Sequence, residues 1–168
     1  VARLDLNGIR NGIGTLLTNN NTTTSSVVDL SNALAGNVRV EQIFKLNPLK
    51  IPPQASLFPC ITIYPDAQTP LADTIARNAA NGSQKNKIVF KITPLIWNQN
   101  FVSIDEDPAD EDIGELVENI KEILRSDTTL GGTATWSQPV GVSYYDFPLD
   151  EETHLRAAVI DYQVTVFH

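Results

Sequence analysis

"DPADEDIGELVENIKEILRSDTTLGG", residues 107–132, decides what kind of fold this chain can adopt. Ile113, Leu116, Val117, Ile120, Ile123 and Leu124 recur at steps of 3, 1, 3, 3 and 1, which draws one apolar stripe along a helix of about 3.6 residues per turn. Asp107 can accept hydrogen bonds from the first free N–H groups, and Pro108 suits the first helical position, where a missing N–H costs nothing. Acids at 110, 111 and 112 oppose Lys121 and Arg125 along the helix dipole. The spacing predicts a helix from Asp107 to Arg125 that buries one face and stops in a Thr-Leu-Gly-Gly turn. Gly131 and Gly132 take positive φ at little cost, so the chain can reverse there while Leu130 folds back onto the stripe.

Downstream of the turn the periodicity changes from helical to alternating. "PVGVSYYDF" (139–147) reads as a strand, "PLDEETH" (148–154) as an acidic turn, and "LRAAVIDYQVTVFH" (155–168) as the last strand. In that last strand Ala158, Ile160, Tyr162, Val164 and Val166 face one way, with Asp161, Gln163 and Thr165 on the other. Upstream, "KIVFKITPLIW" (87–97) sets Ile88, Phe90 and Ile92 against Val89, Lys91 and Thr93, a half-buried strand that Pro94 should end, bulge or place at an edge. "FPCITIY" (58–64) reads as a strand closing at Pro65, and "VRVEQIFKL" (38–46) as another, broken by "NPLKIPPQ". Leu4, Ile9, Ile13, Leu16 and Leu17 give a further helix over residues 4–17, despite glycines at 8, 12 and 14. "VVDLSNALAG" (27–36) adds a helical turn or two.

Two polar stretches interrupt this order. Residues 18–26, "TNNNTTTSS", compete for backbone hydrogen bonds and offer no apolar face, so they are expected to be a flexible surface loop. Residues 66–87, with a short helix around 71–80, are long for an inter-strand connection and are expected to be a contact arm carrying Arg77, Lys85 and Lys87. The succession of helix, strands, helix and strands makes residues 1–168 a single α+β domain. Its sheet is expected to be mixed and mostly antiparallel, with helices packed on one face.

Composition narrows the function. A chain of 168 residues can hold one core without disulfides, and its single cysteine, Cys60, sits in "FPCITIY" like a small buried hydrophobe. A net charge of −8 argues against gripping nucleic acid, which needs clustered Lys and Arg, although a duplex would pass such a surface without sticking. No stretch reaches the ~18 apolar residues of a membrane-spanning helix, and no signal pattern opens the sequence, so a soluble product with no membrane contact is expected.

Catalytic equipment is sparse. His154 and His168 form no ligand pair, and neither a nucleophile elbow nor a phosphate-cradling loop is present. "DEDPADED" (105–112) departs from a calcium loop at its sixth and twelfth places, Asp110 and Leu116. A helix start that attracts acid accounts for it. The expectation is no enzyme, no metal and no cofactor. The alternative is a metal-dependent hydrolase built on Asp105, Asp107 and Asp110.

From about Leu57 onward the chain resembles the tail terminator family of long-tailed bacteriophages, proteins of tail completion and head–tail joining. The likeness rests on Leu124, Asp127, Thr129, Leu130, Gly131 and Gly132, then on Val140 to Phe147 and Ala157 to Phe167, with "LFPCITIYP" upstream. The loop at 18–26 and the arm at 66–87 have no counterpart. The resemblance implies a virion protein of the tail and neck, assembled in the host cytoplasm. It implies a closed ring of identical subunits, usually six, that caps the tail tube, ends its growth and joins it to the connector or stopper protein. Genome DNA would pass through the lumen without specific binding. Another neck protein, an adaptor or stopper, is the nearest alternative. Ring closure needs two different patches on each subunit. The arm residues Arg77, Lys85 and Lys87 are candidates for one, and Val164, Val166 and Phe167 for the other, on a last strand expected to be an open edge that a neighbour would cover.

Overall fold

The computed structural model describes residues 4–19, 40, 42–71, 85–98, 108–149 and 153–167. The predicted turn at 27–36, the helix around 71–80, Arg77 and nearly all of the loop at 18–26 lie outside them. The described chain is one α+β domain with a five-stranded mixed sheet and two α-helices, α1 (Leu6–Asn19) and α2 (Pro108–Ser126). The strands are β1 (Gln42–Phe44), β2 (Cys60–Pro70), β3 (Lys85–Asn98), β4 (Trp136–Pro148) and β5 (His154–Phe167), in spatial order β1-β2-β3-β5-β4. Only the β1–β2 pair is parallel.

Both helices cover the same face. All six stripe residues of α2 are fully buried, each worth about 1.5–3 kcal/mol over exposure. They join Ile9, Ile13 and Leu17 of α1 above Ile61, Ile63, Ile88, Phe90, Ile92, Ile160, Tyr162 and Val164 of the sheet. Asp5 starts α1 by accepting the Gly8 N–H at 2.9 Å. Alternation sends the intervening residues to the opposite face. There Phe58, Cys60, Leu95 and Ala157 make a second, smaller cluster, roofed by the segment that holds two 3₁₀ turns, Pro48–Lys50 and Ala55–Leu57.

Prolines account for most departures from the expected strands. Pro65 does not close β2: the pairing with β3 shifts register between Pro65 and Ala67 and continues to Pro70↔Asn86. Pro65 itself stays in register with Phe90, Asp66 is the extra residue of the bulge, and the ladder resumes at Ala67↔Val89. Residues 66–70 and 85–87, read as parts of a polar arm, are therefore strand. Pro94 lies inside the central strand, buried, and the β3–β5 pairing lapses at Thr93 and Pro94 before resuming at Leu95↔Ala157. β1 spans Gln42–Phe44 alone, shorter than the strand expected at 38–46, with Val40 buried in the main core.

Candidate functional site

The connection between α2 and β4, on which the family resemblance rests, is a turn built around one carboxylate. Asp127 accepts hydrogen bonds from the Thr129 N–H at 2.9 Å, the Thr129 hydroxyl at 2.8 Å and the Gly131 N–H at 2.8 Å. The Thr129 hydroxyl first, then the Gly131 and Thr129 amides, hold this carboxyl below the ordinary carboxylate range. Three consecutive residues have positive φ: Leu130 at 51°, Gly131 at 67° and Gly132 at 90°. The expected glycines do reverse the chain, and Leu130 does fold into the core, where it is 4% exposed. That Leu130 itself is left-handed was not legible, because a branched side chain rarely adopts this region. Its burial compensates.

Neighbouring elements lock the turn in place. Tyr162 of β5 donates to the Ser137 hydroxyl at 2.6 Å, and Ser137 donates to the Thr128 carbonyl at 2.8 Å. Burial pushes the Tyr162 phenol up to about 12, so it stays a donor throughout the physiological range. On the other side α1 approaches at Gly12, where an added Cβ would lie 3.1 Å from the Thr133 hydroxyl and 3.4 Å from the Leu130 carbonyl. A side chain there would make these neighbours give by a few tenths of an ångström.

The candidate interface residues separate. β5 is an internal strand, paired with β3 on one side and β4 on the other, which corrects the expectation of an open edge. Val164 and Val166 are 0% and 5% exposed, core positions that cannot meet another subunit. Phe167, 50% exposed, does reach the surface, and the Lys85 ammonium lies 5.6 Å from its ring centroid. Lys85 and Lys87 pair with Phe167 and Thr165 across the β3–β5 ladder, so they belong to the sheet rather than to an arm. Arg77 lies outside the described residues.

The edge is β4. Its 13 residues leave Trp136, Val140, Tyr144, Tyr145 and Phe147 at 40–51% exposure, and no described residue pairs with its outer side. Tyr145 and Phe147 stack with centroids 6.2 Å apart, and Arg156 lies 5.9 Å from the Tyr144 ring. Beside the end of β4 opens an apolar cleft of about 320 Å³, bordered by Leu49, Ile51, Phe58, Phe147, Leu149 and Leu155. The strand's own sequence signalled this weakly: "SYYDFP" (143–148) is less apolar than β5, as suits a strand not enclosed on both faces.

Reactive chemistry has little foothold among the described residues. Cys60 is fully buried, and burial pushes its thiol up to about 12, far from a nucleophile. On the sheet face away from the helices Lys91 pairs with Asp161 at 2.6 Å and Asp66 at 3.8 Å. The Asp161 hydrogen bond holds the ammonium above its usual range. His154 opens β5 with its Nε2 3.9 Å from the Asp146 carboxylate. No three His, Cys, Asp or Glu side chains come together as a metal site among the described residues. Asp105, Asp107 and the Asp110 side chain lie outside them. No helix in the described part is long and apolar enough to cross a membrane. No family model matches the chain, and no curated protein matches it in sequence.

Proposed function

We propose that this chain is a structural subunit of a phage tail neck, a tail terminator that works as a closed ring of identical copies, six by the family resemblance. In this reading the ring caps the tail tube, ends its polymerisation and joins it to the head connector, and DNA passes through the lumen. One observation carries the reading. The residues that bear the resemblance, Asp127, Thr129, Leu130, Gly131 and Gly132, form a hydrogen-bonded reversal that delivers the chain from the helix layer into an exposed edge strand.

The rest of the molecule is consistent with a mechanical task. Both described helices cover the same sheet face, no described residue pairs with the outer side of β4, and neither the lone thiol nor the Lys91–Asp161 pair is arranged for catalysis. A net charge of −8 would keep a passing duplex from adhering to the ring.

Mixing the purified chain with tail-tube subunits tests the proposal. Native mass spectrometry should give a discrete ring, and electron microscopy should place it at the ends of tubes that then stop lengthening. A persistent monomer, with tube growth unaffected, would overturn it.

A further inference from the structure

We infer that the open edge of β4 is covered by a second copy of this chain, which adds an edge strand of its own there and extends the sheet across the subunit boundary. The inference rests on the ring reading only in that identical copies associate; it names the surface through which they do so.

Three observations converge on this strand. The first is the lack of protection. Natural edge strands carry Lys, Pro or bulges that deter pairing. β4 has such devices at Pro139, at the bulge between Pro139 and Gly141, and at Pro148. From Gly141 to Phe147 it has neither proline nor lysine. Alternate residues of this run therefore present their backbone donors and acceptors outward, with Asp146 as its one charged side chain.

Area is the second. Trp136, Val140, Tyr144, Tyr145, Phe147 and Leu149 are 40–51% exposed. With about 150–250 Å² per aromatic side chain, they leave on the order of 500 Å² of apolar surface along one strand and its end, divided between the two sheet faces: Tyr144 lies beside Ala158 on the helix side, Tyr145 and Phe147 beside Ala157 and Leu155 on the other. The largest apolar patch on a typical monomer is itself roughly 300–600 Å² and is often functional, and this surface falls in that range. A stable pair needs about 800 Å² per partner, which the strand's backbone, Gln138, Ser143 and the apolar cleft beside Leu149 can complete.

Charge selects the occupant. The chain carries 20 acidic and 12 basic residues, so two copies repel over most of their surfaces. Along β4, Asp146 is the single charge in 13 residues. A second copy can approach there without stacking like charges, whereas a nucleic acid or an anionic membrane finds no cationic groups on the strand to hold it.

The test is the oligomeric state of the full chain across a dilution series, by light scattering and native mass spectrometry, for wild type and for the double variant Val140→Lys, Tyr145→Lys. Wild type should form a discrete oligomer, and the variant should run as monomer with an unchanged circular dichroism spectrum and a cooperative melt. Hydrogen exchange on the unmutated chain gives an independent check: the amides within residues 141–147 that point away from β5 should be protected in the oligomer and exchange faster on dilution. A wild-type monomer at every concentration would overturn the inference, as would a folded variant that still assembles or β4 exchange that ignores concentration. Tube binding separates the two proposals. Rings that survive the variant and still cap tubes would sink the β4 interface alone. Rings that the variant dissolves but that never bind tubes would sink the tail terminator reading alone.

Discussion

Leu130 is where the fold can be tested most sharply, because its side chain and its backbone pull in opposite directions. The side chain is 4% exposed within the main core, and truncating a buried leucine to alanine costs about 2–5 kcal/mol, with about 3 as a central value. The backbone, at φ 51°, sits where an ordinary residue bears roughly 1–2 kcal/mol of steric cost. Leu130→Ala removes the packing and keeps the strain. Leu130→Gly removes both, but adds the roughly 0.5–1 kcal/mol by which glycine loses more chain entropy on folding. The net expectation is that the glycine variant is more stable than the alanine variant by about 0.5–1 kcal/mol, the reverse of their order at a position with negative φ. For a domain of this size 1 kcal/mol corresponds to about 2–4 °C. Leu130→Ala should therefore melt about 6–12 °C below wild type, and Leu130→Gly about 1–4 °C above Leu130→Ala, by calorimetry or circular dichroism. If glycine proves the worse of the two, the left-handed assignment is wrong. If alanine costs under about 1 kcal/mol, the side chain is not core.

Three further outcomes follow from the same region and from the core. Asp127→Asn should destabilise by about 1–2 kcal/mol, less than a buried charge-assisted site because the carboxylate is solvent-screened. The sign with pH is fixed by the direction of the shift: the folded carboxyl is held low, so its contribution is whole above the unfolded carboxylate value near about 4 and fades as pH falls through the folded one. Urea melts of wild type and variant should thus converge in acid, and a constant gap would refute the hydrogen-bonded turn. Tyr162→Phe removes the donor to Ser137 and should cost about 0.5–1.5 kcal/mol by urea denaturation; in wild type the phenol should resist ionisation until about pH 12 in ultraviolet titration, and earlier ionisation would contradict its burial. Cys60, fully buried with its thiol at about 12, should remain unlabelled by a thiol reagent in the native state and react fully in denaturant; rapid native labelling would contradict its place in the second cluster.

The sequence-level expectations succeeded where a segment's own period determines its environment. The stripe from Ile113 to Leu124 is buried without exception, and so are the even positions of β5 from Ala158 to Val166. A residue's face depends only on the step of its own element, 3.6 or 2. Strand order has no such local source. β5 alternates cleanly, yet Ala157 and Thr165 on its other face are also buried, since β3 and β4 flank it and a second cluster covers part of that face. Both observations needed the pairing partners. Pro65 and Pro94 misled for a related reason: a missing N–H ends a strand only if nothing nearby absorbs the gap, and here a register shift and a two-residue lapse in pairing absorb it.

The residues that carry the resemblance and the residues that would meet a partner answer to different constraints. Asp127, Leu130, Gly131 and Gly132 are fixed from within: the carboxylate geometry, the positive φ values and the close approach of Gly12 leave few alternatives. Tyr145, Phe147 and Val140 are held more loosely by the monomer: they are 40–51% exposed, the contact between Tyr145 and Phe147 is with each other, and β5 pairing alone would be served by polar residues there. A motif held by internal geometry can therefore mark the fold while saying little about the interface, which is why the interface expected on the terminal strand fell on core valines. The exposed aromatics of β4 are the part of this sequence that the described monomer explains least, and the adjoining copy we propose would supply their contact.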